Sequence, residues 1–150
     1  MHRRNLLTGT FTAAGALLAA ATSAVRAKAA ADSEKSKVVY HLTDLDKVGF
    51  VLGNIRNHFE GAGGPDKVTI ALVVHGPALK AFHSVPANAE VTRRLDELSK
   101  TALALHACGN TMKSQHITLK DLPPGFVVAE EGGVVRIAEL QAAGYAYLRP

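Results

Sequence analysis

Beyond residue 36 the chain switches repeatedly between two hydrophobic periods. Residues 37–42 (Lys-Val-Val-Tyr-His-Leu) form a β-branched run that predicts a strand, ending at Thr43-Asp44. Val48, Val51, Leu52, Ile55 and Phe59 then recur at helical spacing, with Asp44 as a natural cap. Gly61-Ala62-Gly63-Gly64-Pro65 stops that helix. Residues 67–74 are apolar at nearly every position, as a strand covered on both faces should be.

His75-Gly76-Pro77 ends the second strand, and Pro77 suits the first turn of a short helix through about Phe82. After a loop at 84–88, Asn88 can cap a helix through about Ser99, with Val91, Leu95 and Leu98 on one face. Residues 102–107 predict a third strand, running into Cys108 and a short helix over 110–115. A rigid turn at 121–125, a strand at 126–129, a helix over 134–142 ended by Gly144, and a last strand at 145–148 complete the pattern. Strands alternating with helices imply one α/β domain. Its expected core is a mostly parallel sheet of about five strands with helices on both faces.

The first 31 residues break this pattern. Arg3-Arg4 precede a mildly hydrophobic Ala-, Gly- and Thr-rich stretch over 6–25, and small residues follow. The arrangement resembles a twin-arginine export signal with cleavage within 24–31. Residues 32–36 then read as a linker and 37–150 as the folded domain, destined for a bacterial periplasm without a stable membrane span. An uncleaved amphipathic anchor is the alternative, but no charged face repeats through 6–25.

The charge follows from the same division. The formal net charge is +4, and Arg3, Arg4, Arg26 and Lys28 account for all of it. The remainder is formally neutral, and tryptophan is absent. Neither observation supports a nucleic-acid surface. The single cysteine excludes an internal disulfide.

Three predicted strands end in a titratable or reactive side chain: His41, His75 and Cys108. Parallel strands would bring all three to one edge of the sheet, where ligands gather in open α/β folds. In the first reading Cys108 is a nucleophile or sulfur carrier. The amides around Gly109, Asn110 and Thr111 would then favour its thiolate, with His41 or His75 positioning it or shuttling a proton. In the second, His41, His75 and Cys108 bind a soft or borderline metal, or a small ligand, without turnover. In the third, Cys108 is an inert core thiol in a structural subunit.

His106, two residues before Cys108, shares its side of a strand; a buried histidine satisfied by the backbone is the plainer reading. Capping is the plain role for Asn110 and Thr111. His58, His83 and His116 carry no expected site role. Arg93-Arg94 reads as a solvated helix face, and Tyr145 and Tyr147 as strand packing. No Gly-rich nucleotide motif is present, and no cofactor is expected.

Val38-Val39-Tyr40-His41, Val73-Val74-His75-Gly76-Pro77, Ala107-Cys108-Gly109-Asn110-Thr111-Met112 and Gly144-Tyr145-Ala146-Tyr147-Leu148-Arg149-Pro150 resemble the DsrE/DsrF-like family. The resemblance implies a compact domain on a mostly parallel sheet of about five strands. It also implies homo-oligomers, commonly trimers or hexamers. Small sulfur-relay proteins of this kind accept sulfur as a cysteine persulfide, and the matching cysteine is Cys108. A sulfur donor or acceptor protein, or a small polysulfide, would be the partner, and any activity would be at most sulfurtransferase-like.

Overall fold

The computed structural model describes residues 35–83 and 88–150. The expected export signal, its cleavage region, most of the linker and the loop residues 84–87 lie outside the described residues. The elements run β1 (Ser36–Leu42), α1 (Val48–Gly61), β2 (Val68–Val74), α2 (Lys80–His83), α3 (Ala89–Ser99), β3 (Ala104–Cys108), α4 (Gly109–Gln115), β4 (Phe126–Ala129), α5 (Gly133–Ala142) and β5 (Ala146–Leu148). Short 3-10 turns at Leu45–Lys47, Gly76–Leu79 and Leu119–Asp121 join them. The five strands are all parallel, in the order β4-β3-β2-β1-β5.

Alternation along each strand divides the core in two. Val38, Tyr40 and Leu42 of β1, Ile70, Leu72 and Val74 of β2, and Leu105 and Ala107 of β3 join one buried cluster. Val51, Leu52, Ile55 and Phe59 of α1 and Val91, Leu95 and Leu98 of α3 cover them. Val39, Ala71 and Val73 belong to a second, smaller cluster with Ile137 and Leu140 of α5. Among the described residues, one face of the sheet thus packs against several helices and the other against α5.

Two local expectations change. The third strand starts at Ala104 rather than at 102, because α3 closes with Thr101 Oγ1 donating to Leu98 O at 2.6 Å, a turn that Ala102 continues. Asp44 makes no cap hydrogen bond; its carboxylate stands 3.9 Å from the Arg149 guanidinium. Asn88 does cap α3, accepting from the Val91 N–H at 3.3 Å.

Arg93 and Arg94 also part company. Arg93 lies exposed between Glu90 and Glu97, as a solvated face should. Arg94 instead turns inward and donates from Nη1 to Gly49 O at 2.9 Å, tying α3 to α1. A Cβ at Gly53 would sit 2.7 Å from that nitrogen, so glycine there leaves room for the guanidinium.

Candidate functional site around Cys108

Register explains why three strand ends meet on one face. In β1, His41 has the same parity as Val39, and it pairs with Val73 of β2. His75 follows two residues beyond Val73, and Cys108 two beyond His106, which pairs with Val73. His41, His75 and Cys108 therefore all lie at the carboxyl edge of the sheet on the α5 face.

Cys108 is only 6% exposed, yet its surroundings are polar. Burial alone would push the thiol pKa up. Hydrogen bonds from the Thr111 hydroxyl and from the N–H groups of Thr111, Gly133 and Asn110 outweigh burial and leave it below its ordinary value. Thr111 is oriented for this task. Its Oγ1 accepts the Gly76 N–H at 3.0 Å, which leaves the hydroxyl proton for the sulfur.

Of the three residues expected to favour a thiolate, Asn110 and Thr111 stand as hydrogen-bond donors to the sulfur. Gly109 serves by its smallness instead. A Cβ there would stand 3.1 Å from Ala129 O and 3.2 Å from Glu130 O, so glycine lets the chain end of β3 pass under the β4 loop.

Gly133 was not anticipated. It opens α5 directly after the β4 loop, and Cys108 pairs with Ala129 at the end of β4. A Cβ on Gly133 would meet the Cβ atoms of both Cys108 and His75 at 3.3 Å and His75 Cδ2 at 3.2 Å. The same glycine therefore donates to the sulfur and leaves room for the His75 ring against the start of α5. Gly132, at φ 105°, makes the left-handed turn that aims this amide inward.

The histidines form a pair. His41 Nε2 and His75 Nε2 lie 2.5 Å apart, and the rings stack with centroids separated by 4.7 Å. The His41 pKa is lowered to about 4, by burial first, then by His75 and Arg149, against the opposing pull of Asp44. Burial and Arg149 lower His75 as well. Both rings are thus neutral near pH 7. Tyr147, expected only to pack, has its hydroxyl 2.7 Å from His41 Nδ1.

His106 is buried without joining the thiol's hydrogen bonds. Burial, then the Arg136 charge, lowers its pKa to about 4, with Glu139 opposing. It lines a small pocket of about 270 Å³ beside β4 with Arg136 and Glu139. His58 instead bonds Tyr40, Nδ1 to the hydroxyl at 3.0 Å, while His83 and His116 are exposed. Among the described residues, no group of three or more His, Cys, Asp or Glu is arranged to hold a metal ion. No helix among them is long and apolar enough to cross a membrane.

A protein of unknown function from Methanobacterium thermoautotrophicum superposes with a TM-score of 0.66 at 26% identity, over 77% of this chain and 99% of that one. A conserved protein of unknown function from Bacteroides thetaiotaomicron superposes with a TM-score of 0.58 at 17% identity, over 81% and 97% of the two chains. The second likeness is one of fold alone. No curated protein matches the chain significantly. The model of the DsrE/DsrF-like family matches residues 12–150, which takes in every residue of the site just described. The chain belongs to the DsrE/DsrF-like family.

Proposed function

We propose that this protein is a sulfur carrier that holds transferable sulfur as a persulfide on Cys108. The observation that carries the reading is the ring of donors around the thiol: the Thr111 hydroxyl and three backbone N–H groups. Such a ring favours the thiolate, the form that attacks sulfur. Membership of the DsrE/DsrF-like family supports a sulfur-relay role.

In the proposed reaction the Cys108 thiolate attacks the outer sulfur of a donor persulfide R–S–SH. The new S–S bond forms at Cys108, the old one breaks, and R–S⁻ leaves with the electron pair. Cys108–S–SH then passes its outer sulfur to an acceptor thiolate in the same way. His41 and His75, both neutral, handle the protons of these exchanges.

The setting belongs to the same proposal. The Arg3-Arg4 segment supports export to the periplasm, and an exported thiol needs the partial burial found here to resist oxidation. Val127, Val134 and Val135 stand exposed on and beside the sparsely covered α5 face, which supports self-association.

Mass spectrometry after polysulfide treatment of the full chain tests the carrier directly. A gain of one sulfur mass, removed by a reducing thiol and absent in Cys108→Ser, is expected. No adduct in the wild-type protein would overturn the reading.

A further inference from the structure

The C-terminal strand supplies a residue to this site that packing does not explain. Tyr147 pairs with Val39 of β1, so its side chain stands beside His41 at the edge of the sheet. It is 40% exposed, and its hydroxyl bonds His41 Nδ1 at 2.7 Å. The strand is anchored there by further contacts. Arg149 donates to Thr43 Oγ1 at 3.2 Å and faces Asp44, and Lys47 Nζ reaches Pro150 O at 3.3 Å.

The three side chains form one continuous line: Tyr147 hydroxyl, His41 Nδ1 and Nε2, His75 Nε2. Two imidazole nitrogens facing each other can share only one proton, so the bond at His41 Nδ1 decides which ring carries it. A phenol is the stronger donor and a bare imidazole nitrogen the stronger acceptor of the two possible pairings. Tyr147 therefore donates to Nδ1, His41 carries its proton on Nε2 and donates to His75, and His75 carries its own proton on Nδ1. The line is loaded to deliver a proton inward from its exposed end. The charged and titratable groups around it are Arg149 and Tyr147 from β5 and its tail, Asp44 from the turn after β1, and His75 itself.

We propose that Tyr147 is the solvent end of a proton line through His41 and His75, and the positioning residue that fixes its direction. The use of this line rests on the sulfur-carrier reading above. When R–S⁻ leaves, His75 gives it the Nδ1 proton and takes the shared proton at Nε2 from His41. His41 takes the phenolic proton at Nδ1, and Tyr147 takes one from water. One water becomes hydroxide as R–S⁻ becomes R–SH.

The test measures ring-nitrogen chemical shifts in ¹⁵N-histidine full-length protein, wild type and Tyr147→Phe, with Tyr145→Phe as control. Expected is a wild-type His41 protonated on Nε2 and bare at Nδ1, a signature lost in Tyr147→Phe and kept in Tyr145→Phe. The second readout is the rate of sulfur uptake from cysteine persulfide, expected to fall on the order of 10²-fold in Tyr147→Phe, the low end for general-acid assistance. A wild-type His41 protonated on Nδ1 would overturn the proposal. So would a Tyr147→Phe protein with unchanged tautomer, or one with a changed tautomer and an unchanged uptake rate. Should wild-type protein take up no sulfur at all, the carrier reading fails, and the tautomer still decides whether Tyr147 directs the histidine pair.

Discussion

Along β1, Val38, Tyr40 and Leu42 enter the core that α1 and α3 cover, while Val39 and His41 between them face α5. The neighbouring strands repeat the division. Leu72 and Val74 pack beneath several helices, whereas Val73 leads to His75 on the other side. Leu105 and Ala107 are core residues; His106 and Cys108 are not part of that cluster. The α1 side is thus almost wholly apolar, and the α5 side collects the thiol, three histidines and the exposed valines. A parallel sheet normally needs both faces covered. Here one face holds the larger apolar cluster, and the other combines a smaller one with polar groups in fixed positions.

That contrast can be broken from either side. The largest effect is expected from Cys108→Ser, which should abolish sulfur uptake while leaving thermal unfolding close to wild type. The reverse is expected of Ile55→Ala on the opposite face. Ile55 is fully buried, and truncation should cost about 2–5 kcal/mol in denaturant unfolding while the folded fraction still takes up sulfur. If Ile55→Ala instead removed uptake without loss of stability, the division between the faces would be wrong.

Gly133→Ala is a smaller perturbation at the seam. Its methyl would press on Cys108 and His75 at 3.3 Å, and uptake should slow by about tenfold, since small misplacements are costly at a reacting centre. Thr111→Val removes the hydroxyl donor to the sulfur and leaves the Gly76 N–H without its acceptor. A lost hydrogen bond to a charged group should raise the thiol pKa by roughly one unit. An unchanged titration in Thr111→Val would remove Thr111 from the site.

A further effect concerns pH. His41 and His106 have folded pKa values lowered to about 4, below the unfolded value of 6.5. Between those values the unfolded chain binds more protons than the folded one, so stability falls as pH drops from about 6.5 through 4. The urea midpoint should therefore decline over that window, and less so in His106→Gln. A midpoint flat across it would show that neither histidine is held neutral by the fold.

Much of the framework is legible in the residues. The β-branched runs at 37–42 and 67–74 give strands because such side chains suit a pleated, buried surface. That His41, His75 and Cys108 share one edge follows from parallel strands; that they share one face follows from register. What stays hidden depends on which strands become neighbours. Gly133 reaches the sulfur only because β4 pairs with β3, and Tyr147 reaches His41 only because β5 adds to the edge at β1. The same holds for Arg94, whose inward turn needs Gly53 on a facing helix. A Gly132-Gly133 pair opening a helix just after a strand was the one local sign of an amide aimed at the sheet edge.

Donors around a nearly enclosed sulfur outweigh its burial and lower the Cys108 pKa. The pH dependence of Cys108 alkylation by iodoacetamide tests it most directly, because the shape of the curve reports ionisation whatever the absolute rate. A midpoint clearly below the roughly 8.5 of a free thiol is expected. A midpoint at or above that value would mean that burial prevails over the donors, and the carrier chemistry would lose its basis.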